Sequence, residues 1–151
     1  MTSRLIRMTT LMVFGILLLL GCGADKGEEE AKGFVQNYCS ILQDAYSRAD
    51  MKLIGRISTE KEMKKLFPVI QALTATDNYM KTEILEFKIK KAKVKDDKAT
   101  VSTSEKWRYW WIDQKTGTIT KPKHEESYEL EYNLLKVDGS WRVDFIKNLN
   151  E

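Results

Sequence analysis

Glu105, Trp107, Tyr109 and Trp111 recur at every second position, so in an extended strand they share one face. A carboxyl set among rings is a group that moves protons, because poor hydration raises its pKa toward neutrality. Val101 and Thr103 extend that face, whereas Ser102, Ser104, Lys106, Arg108, Trp110 and Ile112 fall on the other. Proton-transfer sites pair such an acid with a histidine or a second acid. Here Glu129, Glu131 and Asp144 are out of phase with the apolar residues of their strands. The one histidine, His124, lies in a Pro-Lys-His-Glu-Glu stretch that reads as a solvated connection. No dyad is visible and no catalytic residue is assigned; Glu105 reads as a rim or salt-bridged glutamate. Together with Tyr128 and Tyr132, the set Glu105, Trp107, Tyr109 and Trp111 reads as packed core. The alternative is the lining of a pocket for an apolar, ring-bearing ligand.

On the opposite face, Trp110 and Ile112 are large apolar groups where charge belongs. An exposed pair of this kind marks a homodimer contact or an envelope-protein partner. The competing reading is that the third helix or the 118–127 connection covers them. Lys88, Lys90, Lys91, Lys93, Lys95 and Lys98 crowd one strand and its turn. They read as protection of a sheet edge, with contact to anionic headgroups as the alternative.

The elements that hold these residues follow from periodicity. Phe34, Tyr38, Ile41, Leu42, Ala45 and Tyr46 form the stripe of an amphipathic helix. Asp50 caps a short turn that Gly55 ends. Thr59-Glu60-Lys61-Glu62 matches a capping box, and Met63, Leu66, Phe67, Ile70 and Leu73 supply that helix's buried face, with a kink or break expected at Pro68. From about Met80 the period becomes 2. Leu85, Phe87 and Ile89 slip in phase to Ala92 and Val94, which predicts a bulge near Lys90-Lys91. A second long strand covers Ala99 to Asp113. Thr118 to Lys121 adds a short one that Pro122 stops, and Tyr128 to Leu134 forms another. Asp138-Gly139 is a hairpin turn before Trp141, Val143 and Phe145. Helices followed by a meander of about four long antiparallel strands make an α+β domain, with the helices on one face of a curved sheet.

The chain's start carries a separate signal. Arg4 and Arg7 precede an apolar run from Met8 to Leu20, the pattern of a secretory leader. The run ends Leu19-Leu20-Gly21-Cys22, which resembles the bacterial lipobox. That resemblance implies removal of residues 1–21 and attachment of lipid, palmitate included, to Cys22. Residues 22–30 then read as a polar lipidated tether and residues 31–151 as the α+β roll domain. Gly23 lacks the Asp that resembles an inner-membrane retention signal, which favours the periplasmic leaflet of an outer membrane if the cell has one. Without Arg4 and Arg7, the 25 Lys and Arg become 23 against 22 Asp and Glu, a net +1. That charge and location give no reason for a nucleic-acid partner. Cys39 is the remaining thiol, there is no CxxC pair, and no metal or other cofactor is expected.

The order of elements resembles the cystatin-like roll of the nuclear transport factor 2-like superfamily. The closing pattern Tyr128-x-Leu130-x-Tyr132-x-Leu134, then Asp138-Gly139-Ser140-Trp141-Arg142-Val143, is similar to its final hairpin. Glu105-Lys106-Trp107-Arg108-Tyr109, with Asp113 and Gly117, is similar to the intermembrane-space domain of plastid-division proteins. The resemblance implies the fold over roughly residues 31–149 and, through non-enzymatic and enzymatic members alike, no single activity. The reading is a lipid-anchored binding or assembly module, with a small-molecule carrier or enzyme using the aromatic cavity as the alternative.

Overall fold

The computed structural model describes residues 22–150, with side chains from Lys26 onward. The expected leader, residues 1–21, and the side chain of Cys22 lie outside the described part. Three helices come first, α1 (Cys22–Arg48), α2 (Lys52–Gly55) and α3 (Glu60–Ala75). Four strands follow, β1 (Asn78–Lys95), β2 (Lys98–Asp113), β3 (Ile119–Val137) and β4 (Ser140–Asn148). They form one antiparallel sheet in sequence order, so β1 and β4 are its edges. The lysine-rich strand is therefore an edge strand. This is the expected α+β arrangement.

α1 departs from the expected boundaries. Residues 22–30, read as a tether, are its first turns. They lack an apolar period, but Ala24 and Glu28 to Glu30 are good helix formers, and acids near a helix start suit its dipole. Lys32 and Glu29 pair at 2.6 Å across one turn. Ala31, Val35, Tyr38, Cys39 and Ala45 are buried, and Gly27 lies against Val94 of β1. Further along, the Gln43 side-chain amide donates to the Thr82 carbonyl at 3.0 Å. α1 thus runs antiparallel to β1 across the sheet.

At α2, the Asp50 carboxylate accepts the Lys52 N–H at 2.8 Å. α3 begins after Thr59 as its capping box predicts, yet both box side chains reach elsewhere. The Thr59 hydroxyl donates to the Asp144 carboxylate at 3.0 Å, and Glu62 accepts the Ile146 N–H at 3.2 Å. Those bonds fasten the helix start to β4, alongside Thr59 N–H to Val143 carbonyl at 2.8 Å. α3 runs through Pro68 as one element, so of the kink or break expected there the break does not occur.

Bulges decide which residues face the helices. The predicted one is present, with Lys90 unpaired between Ile89 and Lys91. A second at Leu85 gives the inner face to Ile84 and Phe87 in place of the expected Leu85 and Phe87 pair. A third at Asp144 reverses β4, so Trp141 and Val143 are buried but Phe145 is not their partner. Ile146 packs on the core instead, and the Lys61 ammonium sits 3.8 Å from the Phe145 ring centre. β3 is one continuous strand through Pro122, which corrects the expected break and places His124 opposite Tyr109. At Asp138-Gly139 both residues have positive φ, 50° and 77°, as a type I′ turn requires.

Candidate functional site

The alternation in β2 survives as far as Trp107. Ala99, Val101, Thr103, Glu105 and Trp107 are buried, while Thr100 to Lys106 on the other face are half-buried. Where α1, α3 and the sheet diverge, they leave a cavity of about 690 Å³. All six residues read as core or pocket line it: Glu105, Trp107, Tyr109, Trp111, Tyr128 and Tyr132. Leu42 and Tyr46 of α1 and Leu66 and Val69 of α3 form its roof. Lys121, Pro122 and His124 are lining residues that are also exposed, so the mouth lies along the first half of β3. The structure therefore holds an open cavity where close packing was the first reading.

Glu105 is 2% exposed, buried in the cavity lining, which corrects its reading as a rim or salt-bridged residue. Its partners are neutral donors. The Thr103 hydroxyl donates to Oε1 at 2.6 Å and the Tyr132 hydroxyl to the same oxygen at 2.8 Å. Trp107 Nε1–H donates to Oε2 at 2.6 Å. Three donors fill three of the roughly four lone-pair positions of a carboxylate, leaving room for one more hydrogen bond on Oε2. Alternation explains this: Thr103 and Trp107 are the same-face neighbours of Glu105, and Tyr132 sits on the adjoining strand. Burial raises the Tyr132 hydroxyl well above its usual range, with Cys39 and Glu105 adding to it. The Cys39 thiol, 3.5 Å from that hydroxyl, is pushed up to about 12, first by burial and then by Glu105. Neither ionises near neutrality. Thr82 contributes a buried hydroxyl without a protein hydrogen-bond partner to the same cavity.

A second carboxylate organises the mouth. Glu126 accepts the Tyr109 hydroxyl at 2.7 Å and the Tyr128 hydroxyl at 3.1 Å, and those bonds lower its pKa. His124 Nε2 is 3.7 Å from Glu126, and its ring meets Tyr109 edge-on at 5.3 Å. Treating 122–126 as a connection hid this group. The clue was that one continuous strand makes Glu126 and His124 alternate in phase with Tyr128. Among the described residues, no cluster of His, Cys, Asp and Glu is placed to hold a metal ion.

Trp110 and Ile112 are not the exposed patch expected. They are 8% and 7% exposed. The cause is a register irregularity: Tyr109 pairs with His124 and Trp111 with Lys121, so Pro122 and Lys123 oppose Trp110. The Lys123 ammonium lies 4.5 Å from the Trp110 ring centre, and Ile119 pairs with Ile112. The 118–127 segment is the cover, and Trp110 also lines the cavity. The outer face beyond it is charged and paired, with Arg108 bonded to Glu83 at 3.0 Å and to Glu125, and Lys106 to Glu125 at 2.9 Å.

No family model matches the chain, and no curated protein matches it. Solved structures do. The intermembrane-space region of the chloroplast protein ARC6 superposes with a TM-score of 0.69 at 12% identity, covering 81% of this chain and 95% of that one. A Kribbella flavida protein, Kfla4162, gives 0.56 at 11%, covering 81% and 90%. A ketosteroid isomerase-like protein from Erwinia carotovora atroseptica gives 0.53 at 16%, covering 83% and 98%. The fold is the nuclear transport factor 2-like roll. At these identities the likeness concerns the backbone and leaves activity to the site itself.

Proposed function

We propose that this chain is a cell-envelope lipoprotein, anchored through lipid on Cys22, whose roll binds an apolar, ring-bearing small molecule without transforming it. The observation that carries the reading is the open aromatic cavity reaching Glu105. Its volume is that of a small-molecule site, and its walls are mostly apolar with a few convergent polar groups. Trp107, Tyr109 and Trp111 offer ring faces, and Oε2 of Glu105 offers a hydrogen bond to a ligand's polar end. A binding role suits Glu105 better than proton transfer, because its three donors are neutral hydroxyl and indole groups and no second acid or base is among its partners. The charged, paired outer face favours the cavity over the sheet surface as the working part.

The test uses 1-naphthol and naphthalene, two ring ligands that differ by one hydroxyl. Three of the four tryptophans line the cavity, so in a Trp141→Phe protein saturable quenching reads occupancy. Both ligands should bind, 1-naphthol about tenfold tighter, the worth of one hydrogen bond to a charged acceptor. Val69→Trp, which fills the cavity, should abolish both. Glu105→Gln should narrow the difference between them, since the Thr103 and Tyr132 hydroxyls can turn to accept from the new amide and the oxygen left at the Oε2 position is a weaker acceptor than a carboxylate. Linear quenching that Val69→Trp does not change would sink the cavity reading. Recovery of chemically altered ligand would replace binding with catalysis. Labelled palmitate entering the wild-type chain but not Cys22→Ser tests the anchor separately.

A further inference from the structure

Resting on the lipid anchor and the cavity just proposed, we infer that α1 is a strut that holds the cavity away from the membrane. The end of the domain bearing the β1–β2 hairpin faces the bilayer. The ligand then reaches the cavity from the aqueous side or from another protein, not by sliding in from the anchoring leaflet.

Three observations carry this. First, α1 is unbroken from Cys22 to Arg48, so the lipidated residue continues into a helix that is packed on the sheet from Ala31 onward. A helix rises about 1.5 Å per residue, which puts Leu42, in the cavity roof, about 30 Å from Cys22. Second, the helix is antiparallel to β1, with Gly27 at Val94 and Gln43 at Thr82. The anchor therefore shares one end of the molecule with Lys93, Lys95 and Lys98, and the cavity residues Met80, Tyr109, Trp111 and Lys121 occupy the other. Third, the free face of α1 is unsuited to lying on lipid. Its exposed residues are Lys26, Glu29, Glu30, Gly33, Gln36, Asn37, Ser40, Asp44, Ser47 and Arg48, with no apolar side chain among them and the two basic ones at opposite ends. An interfacial helix needs an apolar face to bury in the headgroup region. The exposed hairpin lysines outnumber Asp96 and Asp97 and suit anionic headgroups.

Tryptophan positions make this measurable. Trp141 pairs with Lys136 beside the β3–β4 turn, at the anchor end, whereas Trp107, Trp110 and Trp111 line the cavity at the far end. The lipidated full chain is placed in vesicles of phosphatidylglycerol and phosphatidylethanolamine that carry a nitroxide on the headgroup. A protein retaining Trp141 alone (Trp107→Phe, Trp110→Phe, Trp111→Phe) should be quenched at least threefold more than Trp141→Phe. Glu29→Pro, which breaks α1 between anchor and core, should bring quenching of the cavity tryptophans up toward that of Trp141. Equal quenching of the two tryptophan sets overturns the strut, as does an unchanged Glu29→Pro protein. Acyl content by mass spectrometry is read on every sample and 1-naphthol binding on those that keep the cavity tryptophans, so loss of the anchor or of the cavity is seen apart from loss of orientation.

Discussion

The two ends of this roll use one backbone plan and opposite packing. At the anchor end, Val35, Val101, Leu134 and Val143, all within 1% of full burial, belong to one packed cluster. At the other end, Trp107, Tyr109, Trp111, Tyr128 and Tyr132 stand where those aliphatic chains would be, and a cavity of about 690 Å³ remains. Branched aliphatic chains slide past one another and fill gaps. Rings are rigid plates, and here their polar ends are fixed: Tyr132 and Trp107 on Glu105, Tyr109 and Tyr128 on Glu126. The carboxylates hold the walls apart. An opening in a protein core thus comes from polar groups that stop aromatic residues from closing it, at a cost in packing borne by the filled end.

Tryptophan truncation tests that contrast most strongly. Trp141, 8% exposed at the filled end, should lose about 3–5 kcal/mol of unfolding free energy as Trp141→Ala. Trp111→Ala removes a half-buried ring that already borders empty space, so its loss should stay below about 2 kcal/mol. Urea unfolding of both measures the gap, and equal losses would mean that the cavity closes in solution. The next effect is at the boundary. Tyr132→Phe takes one donor from Glu105 and should cost about 1–3 kcal/mol while loosening 1-naphthol binding. A loss of stability with binding unchanged would show that the phenol is a brace and no part of the binding surface. Smallest is Glu62, whose carboxyl is raised chiefly by burial. A raised folded pKa gives stability that is full below the unfolded value and fades as pH rises through the folded one. Wild type should therefore lose stability relative to Glu62→Gln as pH rises from 4 to 7. A pH-independent difference would remove Glu62 from the account.

Most of the fold was legible because hydrophobic period is a local property. The switch from 3.6 to 2 near Met80, the Thr59 start of α3 and the Asp138-Gly139 turn all show in a few residues. Bulges were legible only where they broke a pattern. Lys90 shifts Ile89 out of phase with Ala92, but Asp144 separates Val143 from Phe145 and Ile146, two apolar neighbours that fit either register. The site residues were legible as a shared face and not as a cavity, since emptiness depends on how far α1 and α3 stand from the sheet. The helical character of residues 22–30 lay in propensity, which a search for apolar stripes passes over.

Pro122 brings one more property to the mouth. It has no N–H to give the ladder, and it stands with Lys123 opposite a single residue, Trp110. The ladder between β2 and β3 is consequently interrupted at the mouth of the cavity, whereas its register is unbroken between Val101 and Glu105. A guest entering by this doorway would therefore meet the frame where it is less braced than the room behind it.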